Sequence, residues 1–154
     1  PLLSRSEKIN FIAGLLGIHH SYSSKEVPIP LRLEYEGKTF TDIFSLVVFN
    51  NAGLYANGKR LCPDASPYDG LLDCCCITSE TFSRFLEVYK SYFRGQHINQ
   101  KDVKMIKAPE FKILSAKEVK IQADGEIIGD YRAITVSVRP KALSVIVNPQ
   151  YARN

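Results

Sequence analysis

At 154 residues the chain has the size of one ordinary domain, or of a slightly long half of a two-domain enzyme. Its 45% hydrophobic and 23% charged residues make a globular balance, which excludes intrinsic disorder, collagen and coiled coil as descriptions of the whole. The net charge of +4, from 20 basic and 16 acidic residues, is too mild an excess to mark a nucleic-acid binder.

The chain opens on Pro1 with no leader pattern behind it, and is expected to be a piece of something longer. Its apolar runs, such as 43–49 and 142–147, stop well short of the roughly 20 residues a membrane-spanning helix needs. Ser6 is placed to cap a helix running to about Gly17, because Ile9, Phe11, Ile12, Leu15 and Leu16 recur at spacings of three and four. His19 and His20 follow it, where they can bind a metal or simply favour the negative end of the helix dipole. Beyond Pro30 the pattern alternates, Leu31 and Leu33 against Arg32 and Glu34, as in a half-buried strand. Glu36-Gly37-Lys38 turns the chain; residues 38–41 return as a hairpin arm, and 43–50 read as an apolar strand. Residues 51–70, carrying Gly53, Gly58, Pro63 and Pro67, are a long polar loop of the kind that is functional or mobile.

Residues 71–77 read as a buried strand and 79–94 as an amphipathic helix, with Phe82, Phe85, Leu86, Tyr89 and Phe93 on one stripe and Gly95 as its stop. Short strands follow over 105–108, 111–114, 119–122, 133–138 and 143–147. Two helices among so many short strands predict a mainly β fold, an antiparallel sandwich or barrel, with no parallel βαβ sheet. One domain over about 28–148, with the first helix docked on it, covers the chain.

Four cysteines, three of them consecutive, lack the dispersed spacing of a secreted disulfide framework, so a reducing cytosol is expected. On a strand Cys74 and Cys76 share one face and Cys75 takes the other, so the three cannot meet at one ion and are read as small core residues. In the loop 63–73 two prolines and a glycine restrict the backbone, and carbonyls beside Asp69 would suit a hard cation such as Mg²⁺; equally, Asp69-Gly70 is a turn that starts a strand. Asp124-Gly125-Glu126 is a hairpin signal that leaves Glu126 unexplained, and two acids at a rigid tip can hold a proton acceptor or be a turn and nothing more. The seven basic residues from Arg94 to Lys120 would draw an anionic lipid surface if they shared a face, or alternate along solvated strands.

These residues resemble a known family. Residues 51–73, with Asn51, Gly58, Pro63, Ala65 and Asp69-Gly70-Leu71-Leu72-Asp73, are similar to the second domain of the diacylglycerol kinase and sphingosine kinase superfamily, above all of bacterial lipid kinases. Asp124-Gly125-Glu126 within 119–129 and the ending 140–147 fall in the order that family shows. The family joins an α/β nucleotide-binding domain, with a Gly-Gly-Asp-Gly-Thr signature that does not occur here, to a C-terminal β-sandwich. The resemblance therefore implies an antiparallel β-sandwich with two helices over 28–154, residues 1–27 being a helix and linker docked on it, and the nucleotide-binding domain absent from this stretch.

The same resemblance implies an ATP-dependent kinase that moves the γ-phosphate to a hydroxyl of diacylglycerol or a sphingoid-type lipid, the fragment alone being inactive. It assigns Mg²⁺ to Asp69 with main-chain oxygens of Ser66 and Leu71, the proton acceptor to Glu126, and a neighbouring role to Asp124. Relatives often carry three consecutive glycines where this chain has Ala56-Asn57-Gly58. The implied partners are the lipid at the membrane surface and ATP, in a cytoplasmic, membrane-peripheral setting without nucleic acid; a homodimer is left open. The rival readings are a non-catalytic β-sandwich interaction module and an NAD kinase-like domain.

Overall fold

In a computed structural model of the protein, residues 16, 18–54, 60–144 and 146 are described. The predicted helix over 6–17 falls outside them, apart from Leu16, as does the Ala56-Asn57-Gly58 stretch. What is described of the first helix, α1, covers 18–23, so it runs through His19 and His20 rather than ending before them.

Among the described residues seven strands follow: β1 Ile29–Tyr35, β2 Lys38–Phe44, β3 Leu46–Asn50, β4 Leu72–Ile77, β5 Val103–Ala108, β6 Glu110–Ala123 and β7 Glu126–Ser137. They form two antiparallel sheets, ordered β2-β1-β6-β7 and β3-β4-β5. The expected strand over 43–50 is in fact two, because the chain changes sheets at Ser45. Its N–H donates to the Ile77 carbonyl at 2.8 Å and its hydroxyl to the Ser79 carbonyl. Phe44 then belongs to the core between the sheets, while Leu46 and Val48 face the helices.

β4 is the middle strand of its sheet, and every residue in it is buried. Cys74 and Cys76 point into the core between the sheets, with Leu33, Phe44 and Phe111, whereas Cys75 and Ile77 point into the core under the helices. The alternation expected of the cysteines is thus observed. A strand buried on both faces reads as a near-continuous apolar run, and apart from Asp73 residues 71–77 do, which is why they show no period. Each fully buried Leu or Phe of these clusters contributes roughly 1.5–3 kcal/mol of transfer free energy.

Helix α2, Phe82–Ser91, starts at Thr81, whose hydroxyl accepts from the Arg84 N–H at 3.3 Å. It ends in a 3-10 turn, Tyr92–Arg94, closed by Gly95 at φ +67°. The buried stripe is Phe85, Val88 and Tyr89 and continues to Tyr92; Leu86 is only partly covered, and the side chain of Phe93 lies outside what is described. Arg84 ties the helix to the approach of β5 by pairing with Asp102 and donating to Gln100 at 3.2 Å.

The predicted strands over 111–114 and 119–122 are one strand, β6, interrupted by a register shift between Leu114 and Val119. Ser115, Lys117 and Glu118 broke the alternation that would have joined them. The predicted strand over 133–138 is the second half of β7, which begins at once after a two-residue turn. A closing strand over 143–147 is not seen in the described residues there; Leu143 and Ile146 are exposed. No helix of the described residues is long and apolar enough to cross a membrane.

Candidate functional site

The loop before β4 is anchored at its start. Leu61 and Cys62 are buried in the core under the helices, so the stretch read as a long polar loop also supplies two core residues. The Leu61 carbonyl accepts from Nε2 of the fully buried His97 at 2.9 Å, and burial lowers the imidazole's pKa. Beyond the anchor the loop folds on itself: the Ala65 N–H donates to the Cys62 carbonyl at 3.1 Å and the Tyr68 N–H to Ser66 Oγ at 3.3 Å. Asp69 Oδ1 accepts from the Leu71 N–H at 2.9 Å, an Asx turn completed by Gly70 at φ +72°.

Lys107 completes this end of the molecule. It stands opposite Asp73 in the β4–β5 ladder, and its Nζ lies 3.2 Å from Asp73 Oδ1 and 3.8 Å from Asp69 Oδ2. It also donates to the Asp64 carbonyl at 2.8 Å. Asp73 is 1% exposed, and its Oδ2 has no hydrogen-bond partner. Burial raises the Asp73 carboxyl's pKa, and the Lys107 ammonium works against that rise. This pair was missed in the sequence, although an aspartate inside an otherwise apolar strand is a signal that a cation must lie across the ladder.

The acids of the second predicted site stand elsewhere. Ala123 pairs with Glu126, so Asp124 and Gly125, at φ +48° and +96°, are the two central residues of a tight turn. Asp124 and Glu126 are both exposed. Behind them β7 bulges at Ile128, and the Tyr131 ring covers Gly129, where a Cβ would come within 2.9 Å of it. The Tyr131 hydroxyl donates to the Ile128 carbonyl at 3.1 Å, and Ile127 and Ile128 face solvent.

The two predicted sites do not meet. Gly70 approaches Pro140, just past the end of β7 that pairs Ser137 with Glu110, whereas Glu126 is at the other end of that strand. At about 3.3 Å per residue, β7 is a path of roughly 35 Å between them. No hydrogen bond or ion pair among the described residues joins the Asp69 loop to the Asp124-Glu126 turn.

Among the described residues no three His, Cys, Asp or Glu side chains converge as metal ligands. Asp69 still suits a hard cation in part: Oδ2 makes no hydrogen bond, since Lys107 is beyond that distance, and a carboxylate oxygen is the kind of ligand such a cation takes. His19 packs edge-on against Phe82 at 4.9 Å. Of the basic run, Lys104 sits over the Phe40 ring at 3.6 Å and Lys112 lies 3.9 Å from Glu34, so with Lys107 these cations have partners within the domain.

A cavity of about 270 Å³ opens between α1, α2 and β3, lined by Ile18, Tyr22, Leu46, Val48, Phe85 and Tyr92 among others. Tyr22 donates to the Ser79 carbonyl at 3.0 Å, but the buried Tyr92 hydroxyl has no partner, and burial raises its pKa. The walls are apolar and one hydroxyl is unsatisfied, a lining that suits a hydrocarbon chain with a polar group near it.

Comparison with known proteins agrees with this fold. Over residues 4–147 the chain matches the family described as the YegS C-terminal NAD kinase beta sandwich-like domain. It is 29% identical over 105 residues to the diacylglycerol kinase of Bacillus subtilis (strain 168), covering 66% of this chain and 34% of that protein. It is 28% identical over 120 residues to a diacylglycerol kinase of Mycobacterium tuberculosis, covering 77% of this chain and 38% of that protein. The crystal structure of a diacylglycerol kinase from Bacillus anthracis str. Sterne superposes with a TM-score of 0.53 at 18% identity, over 82% of this chain and 48% of that one. A second structure from the same organism gives 0.62 at 22% identity, over 90% and 48%. The chain thus spans little more than a third of these curated relatives and about half of the solved structures. Two antiparallel sheets, two helices and a match over nearly the whole length place the chain in the family of YegS C-terminal NAD kinase beta sandwich-like domains.

Proposed function

We propose that this chain is the lipid-handling half of an ATP-dependent kinase of the diacylglycerol kinase type, in which the γ-phosphate passes to a lipid hydroxyl. Residues 28–154 are its C-terminal sandwich, 1–27 dock on it, and a nucleotide-binding domain outside this chain supplies the ATP contacts. The observation that carries the reading is the family membership, together with relatives named diacylglycerol kinase. The apolar cavity under α2 supports the lipid part, since a hydrocarbon chain entering it leaves water at roughly 0.8 kcal/mol per buried methylene. The protein would work at the surface of a membrane, where its substrate resides.

In this reading Glu126 is the proton acceptor. The turn at Asp124-Gly125 fixes its backbone, and its exposure leaves the carboxylate available to a hydroxyl presented from outside the domain. Asp124, two residues away, raises the negative field around it. Asp69, with carbonyls of Ser66 and Leu71, would hold Mg²⁺, which when bound neutralises the loop's charge and stiffens it. The length of β7 between the two places makes that ion's role one of holding the loop, with Glu126 acting at the other end.

The test is transfer of labelled γ-phosphate to diacylglycerol in mixed micelles. The chain alone should give none, and the chain joined to its nucleotide-binding domain should give a lipid phosphate. Filling the cavity with Val48→Phe should weaken use of long-chain acceptors more than of short-chain ones. A chain that gives no lipid phosphate even with that domain present would leave it an interaction module.

A further inference from the structure

Lys107 does more than close an ion pair. Its Nζ is surrounded by oxygens of three residues: the Asp64 carbonyl at 2.8 Å, Asp73 Oδ1 at 3.2 Å and Asp69 Oδ2 at 3.8 Å. That is the kind of oxygen environment a hard cation takes. Asp73 is buried and cannot leave, since the β4–β5 ladder fixes it opposite Lys107. Asp69 is differently placed: one carboxylate oxygen is committed to the Leu71 N–H, and the other meets Lys107 by charge alone, beyond hydrogen-bond distance.

We propose that Lys107 is a built-in competitor for the cation of the 63–73 loop, a tethered ammonium that supplies the positive charge when no divalent ion is there and weakens the affinity for one. This rests on the reading of Asp69 as a Mg²⁺ ligand. An ion on Asp69 Oδ2 would sit a few ångströms from the ammonium, and two cations at that range repel in a site only partly open to water. The Asp64 carbonyl and Asp73 keep hold of the ammonium when Asp69 turns to an ion. Binding the metal costs the chain the Lys107–Asp69 attraction. Lys107 is a positioning residue here, without contact to substrate.

The experiment is Mn²⁺ titration followed by electron paramagnetic resonance, with Mg²⁺ displacing it, on the full chain at fixed ionic strength. Lys107→Gln should bind about tenfold more tightly than the wild type, the scale on which one neighbouring like charge acts. Lys107→Arg keeps the charge and should stay within about threefold of the wild type. Asp69→Asn should remove the binding in either background. If Lys107→Gln folds poorly, Asp73→Asn with Lys107→Met removes the cation without leaving a buried carboxylate unpaired, and its unfolding midpoint should rise more on adding Mg²⁺ than the wild type's does. Equal affinity with and without the Lys107 charge, still lost in Asp69→Asn, overturns the competition and leaves the Mg²⁺ reading standing. No Asp69-dependent binding in any variant overturns both.

Discussion

The two ends of the β6–β7 hairpin carry acids in opposite circumstances. At the Asp69 end the loop rests on a buried start at Leu61 and Cys62, Asp73 is sealed in β4, and Lys107 balances the charge. At the Asp124 end two strands run out to a turn whose acids and flanking isoleucines face solvent. The difference teaches that one residue type serves two ends. Buried and paired, a carboxylate holds the fold together; exposed on a rigid turn, it costs the fold little and is free to do chemistry. Substitutions at the first end should show up in stability, and those at the second in turnover.

The largest stability effect is expected at the Asp69 end. Lys107→Met leaves the buried Asp73 carboxylate without its cation and should cost about 2–3 kcal/mol by urea denaturation, less than a wholly buried pair because Lys107 is partly exposed. A loss within 0.5 kcal/mol would mean that the pair holds nothing.

Acid should loosen the same end. His97 is neutral in the fold with its pKa lowered by burial, whereas in the unfolded chain it takes a proton near pH 6.5. Its contribution is therefore complete above pH 6.5 and is lost as pH falls from there toward the lower folded value, at up to about 1.4 kcal/mol per pH unit. Denaturation at pH 7.5, 6.5 and 5.5 checks this, and His97→Gln should flatten the dependence in that window. An unchanged slope would remove His97 from the account.

At the other end Gly125→Ala strains a turn residue held at φ +96° and should cost about 1 kcal/mol. Smaller still, Glu126→Gln and Asp124→Asn should each leave stability within about 0.5 kcal/mol of wild type, as exposed substitutions do. A larger loss at either acid would blur the contrast between the ends.

Much of the fold was legible because its signals are local. Glu36-Gly37 and Asp124-Gly125 name their own turns, since both central residues take positive φ, and the cysteine alternation follows from strand geometry alone. What depends on distant partners was not legible. Nothing in Ile43-Phe44-Ser45-Leu46 says that Ser45 changes sheets, because its N–H answers a carbonyl at Ile77. The unity of β6 was hidden by the polar residues of its bulge. Asp69, Glu126 and Asp124 were legible as candidates, but their separation was not, as it depends on strand pairing. Lys107 and Asp73 become a pair only once β4 and β5 are in register.

The most direct test of the division of labour is a paired measurement of kcat and unfolding free energy on Glu126→Gln and Asp69→Asn, each joined to the nucleotide-binding domain. Glu126→Gln is expected to lose about a hundredfold or more in kcat, the usual scale of general-base loss, with stability unchanged. Asp69→Asn is expected to lose its divalent-ion binding and stability while keeping kcat within about tenfold. Near-normal turnover in Glu126→Gln, with the hundredfold loss appearing instead in Asp69→Asn, would contradict the account and move the chemistry to the opposite end of the hairpin.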